Sequence, residues 1–509
     1  MNRILLFALT LLIGHGVMAG ESAPNFLLIL VDDMGWTGSS HQVDPDVPES
    51  KSDFYQTPHI ARLATEGVSF SNAYAPAPMC TPSRAAILTG KSPARLHMTC
   101  PGTARKAQAW QKVAPPMHVS ELPEDETTLA EVLKAEGYVT AHLGKWHLHG
   151  GGPGKHGFDV HDGDTGNEAP ESEENPKDIF GIATRAKAFL KEQKSSGKPF
   201  YLQLSHYAVH SPVAARPATL EAVAKRTAGA RHNRQDYAAM TQDFDTSVGQ
   251  VLEALKTLGL AKNTYVIFTS DNGAGARGAS KENVPLAGGK ASLWEGGVRV
   301  PMMITGPGVP KGVNRSESVI GTDLFRTISQ LAGVKQELPE GLEGASLVPL
   351  LLPEPGAFKR ARPFLAFHFP HYGKGPKQKP YSAMRKGNHK LLWNHETGAV
   401  QLFDLKADLG EKKDLAEAMP EKATALKKEL DAYFKEIEAQ MPKANPDYDP
   451  EAQATSRKQG FAGRFDKDGD GKISREEFSG PARRFDRLDK NRDGVLSGDE
   501  IPSGPPQRR

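Results

Sequence analysis

Cysteine is almost absent from this chain: Cys80 and Cys100 are the only two in 509 residues. A multi-bridge disulfide framework is thereby excluded, although an exported chain could join this one pair. Excess charge of one sign is also lacking. The 63 Lys and Arg against 61 Asp and Glu leave a formal +2, so no global field points to nucleic acid as a partner. No zinc-ligand cluster and no P-loop occurs. What is present is 38% hydrophobic residues, enough for a soluble globular protein. The length predicts one large core with appendages rather than one small domain.

The N-terminus reads as a processing segment. Arg3 precedes an apolar stretch from Ile4 to Ile13, and Val17-Met18-Ala19 offers a cleavage site. The apolar stretch is too short for a membrane span, so residues 1–19 are expected to be a secretory signal peptide. The mature chain is then expected to be exported, periplasmic or extracellular, with no transmembrane span.

Four apolar segments each run into polar residues. Asn25–Val31 leads to Asp32-Asp33, and Tyr138–Leu143 leads to Gly144-Lys145-Trp146-His147. Pro199–Leu204 leads to Ser205-His206 and on to His210, and Thr264–Thr269 leads to Ser270-Asp271-Asn272-Gly273. The first run is nearly continuous, which suits a central strand buried on both faces. Thr128-Leu129-Ala130-Glu131 is a capping box that opens a helix. Ligands of open α/β sheets bind beyond the carboxyl ends of strands, so these dispersed groups are expected to converge. Asp32, Asp33, Asp271 and Asn272 would supply only oxygen ligands, which suit calcium or magnesium. A turn after a strand is the alternative for Asp32-Asp33 alone.

The most specific segment is Cys80-Thr81-Pro82-Ser83-Arg84, followed by Leu88-Thr89-Gly90. It resembles the maturation signature of the type I sulfatases, in which the cysteine is oxidised to formylglycine by a maturation enzyme. The resemblance runs over about residues 24–440, with features of the arylsulfatase-A-like branch in Phe54–Ile60, Pro93–Leu96 and His368–Tyr372. It implies an α/β, alkaline-phosphatase-like sandwich with a large mostly parallel sheet and a smaller C-terminal antiparallel-sheet subdomain. It assigns Asp32, Asp33, Asp271, Asn272 and the modified Cys80 to one calcium ion. It also implies that Arg84 holds formylglycine and metal-bound oxygens, that Lys145 and Lys290 grip sulfate, that His147 contacts the aldehyde hydrate, and that His210 protonates the leaving alcohol. Glu295 and Arg299, in the E-G-G-x-R-x-P block, are expected to be structural. A carbohydrate sulfate monoester is the implied substrate, with His368 and His371 as candidate contacts; aromatic packing is the alternative for both. With Cys80 converted, no disulfide can form, and Cys100 is expected to pack.

The tail is a separate module. Asp466, Asp468, Asp470, Lys472 and Glu477, with Gly471 and Ser474, fit an EF-hand loop at positions 1, 3, 5, 7, 12, 6 and 9. Asp489, Asn491, Asp493, Val495 and Glu500 fit a second loop in the same way, so two further calcium ions are expected. Ile473 and Leu496 fall at position 8, where paired loops meet through a short β-bridge, and Phe465 and Phe485 read as core anchors. The close spacing of the loops is similar to dockerin-like modules, from which Glu at position 12 departs. The resulting organisation is signal peptide 1–19, catalytic α/β domain 20–355, C-terminal subdomain 356–442, linker 443–460 and a small α-helical EF-hand pair 461–503. The tail would contact a polysaccharide or surface, or only stabilise. Two functions stand beside a sulfatase: a phosphonate or phosphate monoester hydrolase with the same maturation, and a non-catalytic, calcium-dependent binding protein. The lysine and histidine motifs favour sulfate.

Overall fold

A computed structural model describes residues 23–104, 106–275, 282–373, 377–452, 461, 464–468, 470–480 and 482–501. The segment read as a signal peptide, and residues 453–460 of that read as a linker, lie outside the described residues.

The large sheet has eight strands in the order Val160–His161, Val139–Gly144, Phe200–Ser205, Asn25–Val31, Thr264–Ser270, Met302–Thr305, Val68–Tyr74 and Val313–Ile320. Only Met302–Thr305 runs antiparallel to its neighbours. All seven residues of Asn25–Val31 are buried. Leu27, Ile29 and Val31 enter one apolar cluster, whereas Phe26, Leu28 and Leu30 enter the cluster on the other face. The continuous apolar run therefore has the cause expected of it, which is helices on both sides of a parallel sheet. The long helices Ile179–Ser196 and Gln235–Thr257 cover one face. Cys80–Thr89, Leu129–Ala135 and Asp323–Ala332 cover the other. The capping box at Thr128 is formed in both directions, Glu131 N to Thr128 Oγ1 at 3.3 Å and Thr128 N to Glu131 Oε2 at 2.7 Å.

A second, antiparallel sheet runs Leu365–Phe369, Tyr381–Lys386, His389–Asn394 and Val400–Asp404. One face packs on Tyr74, Trp294 and Ile320 of the large domain, and the other on the helix Pro420–Glu436 through Leu426, Leu430, Tyr433 and Phe434. That helix stops at Glu436. Glu438 turns left-handed (φ 55°), and the Ala439 N–H bonds back to the Phe434 carbonyl at 2.8 Å, which closes the last turn.

The linker reading needs correction at its start. Lys443-Ala444 pairs antiparallel with Val113-Ala114, and Asn445 Nδ2 donates to the carbonyls of Gln108 (3.1 Å) and Gln111 (2.7 Å). Asp449 N reaches Ala109 O at 2.8 Å. Polar, proline-containing composition does not distinguish a free linker from a chain whose polar groups bond to another loop. In the tail, Ile473-Ser474 pairs with Val495-Leu496, with Ile473 opposite Leu496. Phe465, Ile473, Phe478, Phe485, Leu496 and Ile501 form its small core.

Candidate active site

The sheet register brings the strand ends to one level. Gly144 lies beside Ser205, Ser205 beside Leu30, and Val31 beside Ser270. Backbone bonds continue this order into the loops: Lys145 N to Ser205 O (2.7 Å), Asp32 N to Ala208 O (3.0 Å) and Asp271 N to Val31 O (3.1 Å). The predicted convergence is thus a consequence of parallel pairing. Asp33 (φ 63°) and His147 (φ 58°) adopt left-handed backbone there, a conformation that costs non-glycine residues energy and collects at functional sites. Gly273 permits a close approach, since a Cβ on it would lie 1.9 Å from the Gly296 carbonyl oxygen.

Cys80 is the first residue of a wholly buried helix that ends at the left-handed Gly90. Pro82 sits in the first turn, where its missing N–H has no intrahelical partner to lose. Ser83 Oγ accepts from Ala77 N (3.1 Å) and donates to Ala77 O (2.9 Å), which pins the loop entering the helix. Thr81 Oγ1 donates to His147 O at 2.9 Å. Arg84 points across the site, with Nη1 donating to Lys145 O (2.6 Å) and Nε to Asp271 Oδ2 (2.9 Å). Much of the signature therefore has a local structural role. It presents the Cys80 sulfur at a helix N-terminus, 3.3 Å from His147 Nδ1.

Three cations pair with three carboxylates. Besides Arg84 with Asp271, Lys145 Nζ lies 2.5 Å from Asp32 Oδ2 and Lys290 Nζ 2.6 Å from Asp33 Oδ1. Asn272 Nδ2 donates to Asp33 Oδ1 at 2.7 Å. His210 Nε2 stands 3.9 Å from Asp33 Oδ2. All six Arg, Lys and Asp groups are mostly or fully withdrawn from water. Burial would raise the Asp32 carboxyl pKa, but Lys145, His210, Lys290 and Arg84 together hold it well below the usual range. Burial, reinforced by Asp32, pushes Asp271 up to about 6 against the pull of Arg84. Burial would lower Lys290, and the surrounding anions, Asp33 first, instead raise it. Burial, then Lys145 and Arg84, depress His147 to about 2, so its ring is neutral at pH 7. His210 is also lowered by burial, opposed by Asp32 and Asp33.

The oxygen set fits a hard divalent cation. Asp32 Oδ1 and Asn272 Oδ1 are buried and make no hydrogen bond, an arrangement that is costly unless something positive faces them. Asp32, Asp33 and His210 also present ligand atoms within 4.8 Å of one another.

Other residues fall differently. His368 is 4% exposed, and both ring nitrogens are engaged, Nδ1 with Ser382 Oγ (2.7 Å) and Nε2 with Gln440 O (3.0 Å). It has no polar atom left for a substrate, so the packing alternative describes it. His371 is buried, with Nε2 at Thr99 Oγ1 (2.8 Å) and its ring against those of His118 and Phe369. Glu295 takes Lys390 Nζ at 2.9 Å and Tyr74 OH at 2.7 Å, and Arg299 Nη2 donates to Ser71 O at 2.7 Å. These bonds hold the two sheets together, away from the sulfur of Cys80. Asn167, whose Nδ2 lies 3.4 Å from His147 Nε2, belongs to no recognisable motif and escaped the sequence reading.

In the tail, Asp466, Asp468 and Glu477 form one acidic group and Asp489, Asp493 and Glu500 another. The position-6 glycines are left-handed (Gly471 φ 80°, Gly494 φ 82°), and their N–H groups donate to the position-1 carboxylates, Asp466 (3.1 Å) and Asp489 (3.0 Å).

A three-layer α/β sheet with paired cations, an oxygen-rich cation site and a sulfur at a helix N-terminus defines a hydrolase of anionic esters. Its family is identified by comparison. The sulfatase family model matches residues 24–334, the model described as N-sulphoglucosamine sulphohydrolase, C-terminal, matches 289–440, and an EF-hand model matches 463–479 and 482–501. The chain belongs to the sulfatase family and is a sulfuric ester hydrolase. It is 34% identical over 381 residues to N-acetylgalactosamine-6-sulfatase of Sus scrofa, covering 67% of this chain and 68% of that one. It is 30% identical over 447 residues to an ulvan-active sulfatase of Formosa agariphila, covering 80% of each. The solved structure of Ps i-CgsB with k-i-k-neocarrahexaose superposes with a TM-score of 0.68 at 26% identity, over 81% of this chain and 93% of that chain.

Proposed function

We propose that this chain is an exported sulfatase that hydrolyses sulfate monoesters of a sulfated carbohydrate, with a formylglycine made from Cys80 as its nucleophile. The observation that carries the reading is the Cys80 sulfur at a buried helix N-terminus, 3.3 Å from His147 and facing the cation-and-carboxylate cluster. Sulfated-carbohydrate names among the relatives support the substrate class.

Asp32, Asp33, Asp271 and Asn272 would hold one calcium ion, which supplies charge neutralisation and polarisation of a sulfuryl oxygen. The matured side chain at position 80 supplies the attacking hydroxyl. Lys145 and Lys290 orient the sulfate by charge-assisted hydrogen bonds once their carboxylate partners are shared with the cation. Arg84 keeps Asp271 and the Lys145 backbone in place. His210 gives a proton to the departing sugar oxygen. The neutral His147 stands ready to accept a proton at Nδ1 from the group at position 80. The two tail loops, through Asp466, Asp468, Asp470, Lys472 and Glu477 and through Asp489, Asn491, Asp493, Val495 and Glu500, would hold two further calcium ions.

Peptide mass spectrometry on the Cys80 segment, beside turnover of an aryl sulfate and a sulfated oligosaccharide, tests the reading. The matured peptide carries an aldehyde in place of the thiol, and unmodified Cys80 in a fully active preparation would overturn it.

A further inference from the structure

Lys177 lies outside every motif discussed so far, yet it is 1% exposed, as buried as Lys145 and Arg84. The turn that carries it is tied to the strand end before Lys145, since Arg185 Nη2 donates to both Asp178 Oδ2 (2.6 Å) and Asp162 Oδ2 (2.8 Å), and Asp162 Oδ2 also accepts from Gly144 N (2.7 Å); Asp32 and Asp33 act on its charge from there. It differs from the other site cations in one respect. Arg84, Lys145 and Lys290 each have a carboxylate within 3 Å, whereas Lys177 makes no hydrogen bond or ion pair among the described residues. Its Nζ keeps a little contact with solvent space, and a largely buried ammonium with no protein partner is still costly.

The backbone that delivers Lys177 is also strained. Lys177 (φ 56°, ψ 27°) and Asp178 (φ 52°, ψ 22°) are two consecutive non-glycine residues in the left-handed region. The turn is held in that shape from outside. Asp178 Oδ2 accepts from Arg185 Nη2 (2.6 Å), and its Oδ1 accepts from Asn175 Nδ2 (3.0 Å). Asn175 Oδ1 in turn accepts from the N–H groups of Phe180 (2.8 Å) and Gly181 (3.0 Å). The strain and the unpaired charge are both sustained by neighbours, and both end at the same ammonium.

Resting on the sulfatase reading, we infer that Lys177 is a substrate-contacting residue whose missing partner is an anionic oxygen of the bound substrate. That oxygen belongs either to the sulfate being removed or to a second acidic group on the same sugar, a carboxylate or another sulfate ester. A purely structural lysine would be paired and would stabilise the fold. A lysine that waits for substrate stays unpaired and costs stability until substrate arrives.

Lys177→Met separates these roles, because methionine keeps the apolar stem and the left-handed backbone and removes only the charge. Lys177→Gln provides a second uncharged variant, and Lys177→Arg a conservative one. Each is compared with the wild type in three measurements: inhibition by inorganic sulfate, KM and kcat on an aryl sulfate, and KM and kcat on a sulfated oligosaccharide bearing a second acidic group. Melting temperature is followed in parallel, with and without inorganic sulfate. The uncharged variants are expected to raise the inhibition constant or KM by tenfold or more, with a smaller change in kcat, partial recovery in Lys177→Arg, and an unchanged or higher melting temperature. Loss on inorganic sulfate and aryl sulfate assigns the contact to the departing sulfate. Loss confined to the oligosaccharide assigns it to the second acidic group. Unchanged affinity for every anion, or a lowered melting temperature with unchanged affinity, overturns the inference. A wild type that hydrolyses no sulfate ester but binds inorganic sulfate in a Lys177-dependent way would instead overturn the proposed function and leave this contact standing.

Discussion

The catalytic cluster and the tail loops are both assemblies of acidic oxygens, and they are built in opposite ways. The cluster gathers Asp32, Asp33, Asp271 and Asn272 from two strand ends about half a chain apart, and the fold buries them. Each tail loop gathers its acidic groups from one short stretch of chain, and of these only Asp489 is buried. Inside the cluster, Arg84, Lys145 and Lys290 neutralise the carboxylates. In the tail, backbone N–H groups play that part: Glu477 Oε1 accepts from Lys467 N at 2.8 Å, and Glu500 Oε1 from Lys490 N at 2.9 Å. The difference teaches that the tertiary fold specifies the first site and a local turn the second. The first is expected to retain its ion, and the second to exchange it with affinity anywhere from about 10⁻⁸ to 10⁻³ M.

The sharpest way to break the comparison is to remove the proposed nucleophile on one side and a proposed calcium ligand on the other. Cys80→Ala is expected to lower turnover of an aryl sulfate by at least about 10⁴-fold, the scale seen when a covalent nucleophile is deleted. Glu477→Gln and Glu500→Gln are expected to leave that turnover unchanged and to weaken only calcium binding to the tail. A tail variant that loses turnover would show that the two sites are one unit.

Lys290→Ala and His210→Ala probe the cluster from the leaving-group side. General acid help is typically about 10²–10⁴-fold and is needed far more by a sugar alkoxide than by a nitrophenolate. Both variants are therefore expected to slow sulfated sugars more than nitrophenyl sulfate. Equal losses on the two substrates would reduce these residues to sulfate binding alone.

The halves of the comparison were not equally legible. The tail module was legible from its twelve-residue spacing, and Ile473 opposite Leu496 follows from that spacing. The parallel sheet was legible from the apolar run Asn25–Val31, and the helix Leu129–Ala135 from its capping box. The cluster could be read only where a motif marks it. Asn167 and Lys177 are brought in by the loop after Val160–His161 and by a left-handed turn, neither of which leaves a periodic trace. The substrate reading of His368 gives way to packing for a related reason. A histidine beside aromatic residues reads the same whether its nitrogens face a sugar or a serine hydroxyl and a carbonyl.

Acid offers a smaller and broader test. Burial holds His368 down at about 4, His371 at about 3 and His395 at about 3, against 6.5 in an open chain. These folded-state values are depressed, so below pH 6.5 the unfolded chain binds more protons and stability falls as pH falls. The loss develops from pH 6.5 down to about 4–3, at roughly 1.4 kcal/mol per pH unit for each histidine kept neutral. Unfolding of the sulfatase body followed by tryptophan fluorescence, with all five tryptophans at or before Trp393, should show that window. A body stable and unchanged from pH 7 to 4 would mean that these rings are more accessible than their packing indicates.

The smallest expected effect locates the boundary between the two halves. Composition placed it at Lys443, whereas hydrogen bonding places it after Ala452, because residues 443–449 complete the polar groups of the 108–114 loop. A chain ending at Ala452 is expected to keep the turnover and melting behaviour of the full-length protein on a small sulfate ester, and to lose only the calcium sites of the tail. A chain ending at Pro442 strips Asn445 from the Gln108 and Gln111 carbonyls and removes the strand beside Val113-Ala114. Each lost bond is worth about 1 kcal/mol net, so this shorter chain should melt earlier, with the 108–114 loop the first region to lose protection in hydrogen exchange. Equal stability of the two truncated chains would return the boundary to Lys443. Loss of turnover in the chain ending at Ala452, with its fold and its matured position 80 intact, would show instead that the tail helps to build the active site, and the two halves could no longer be treated as separate solutions to holding an ion.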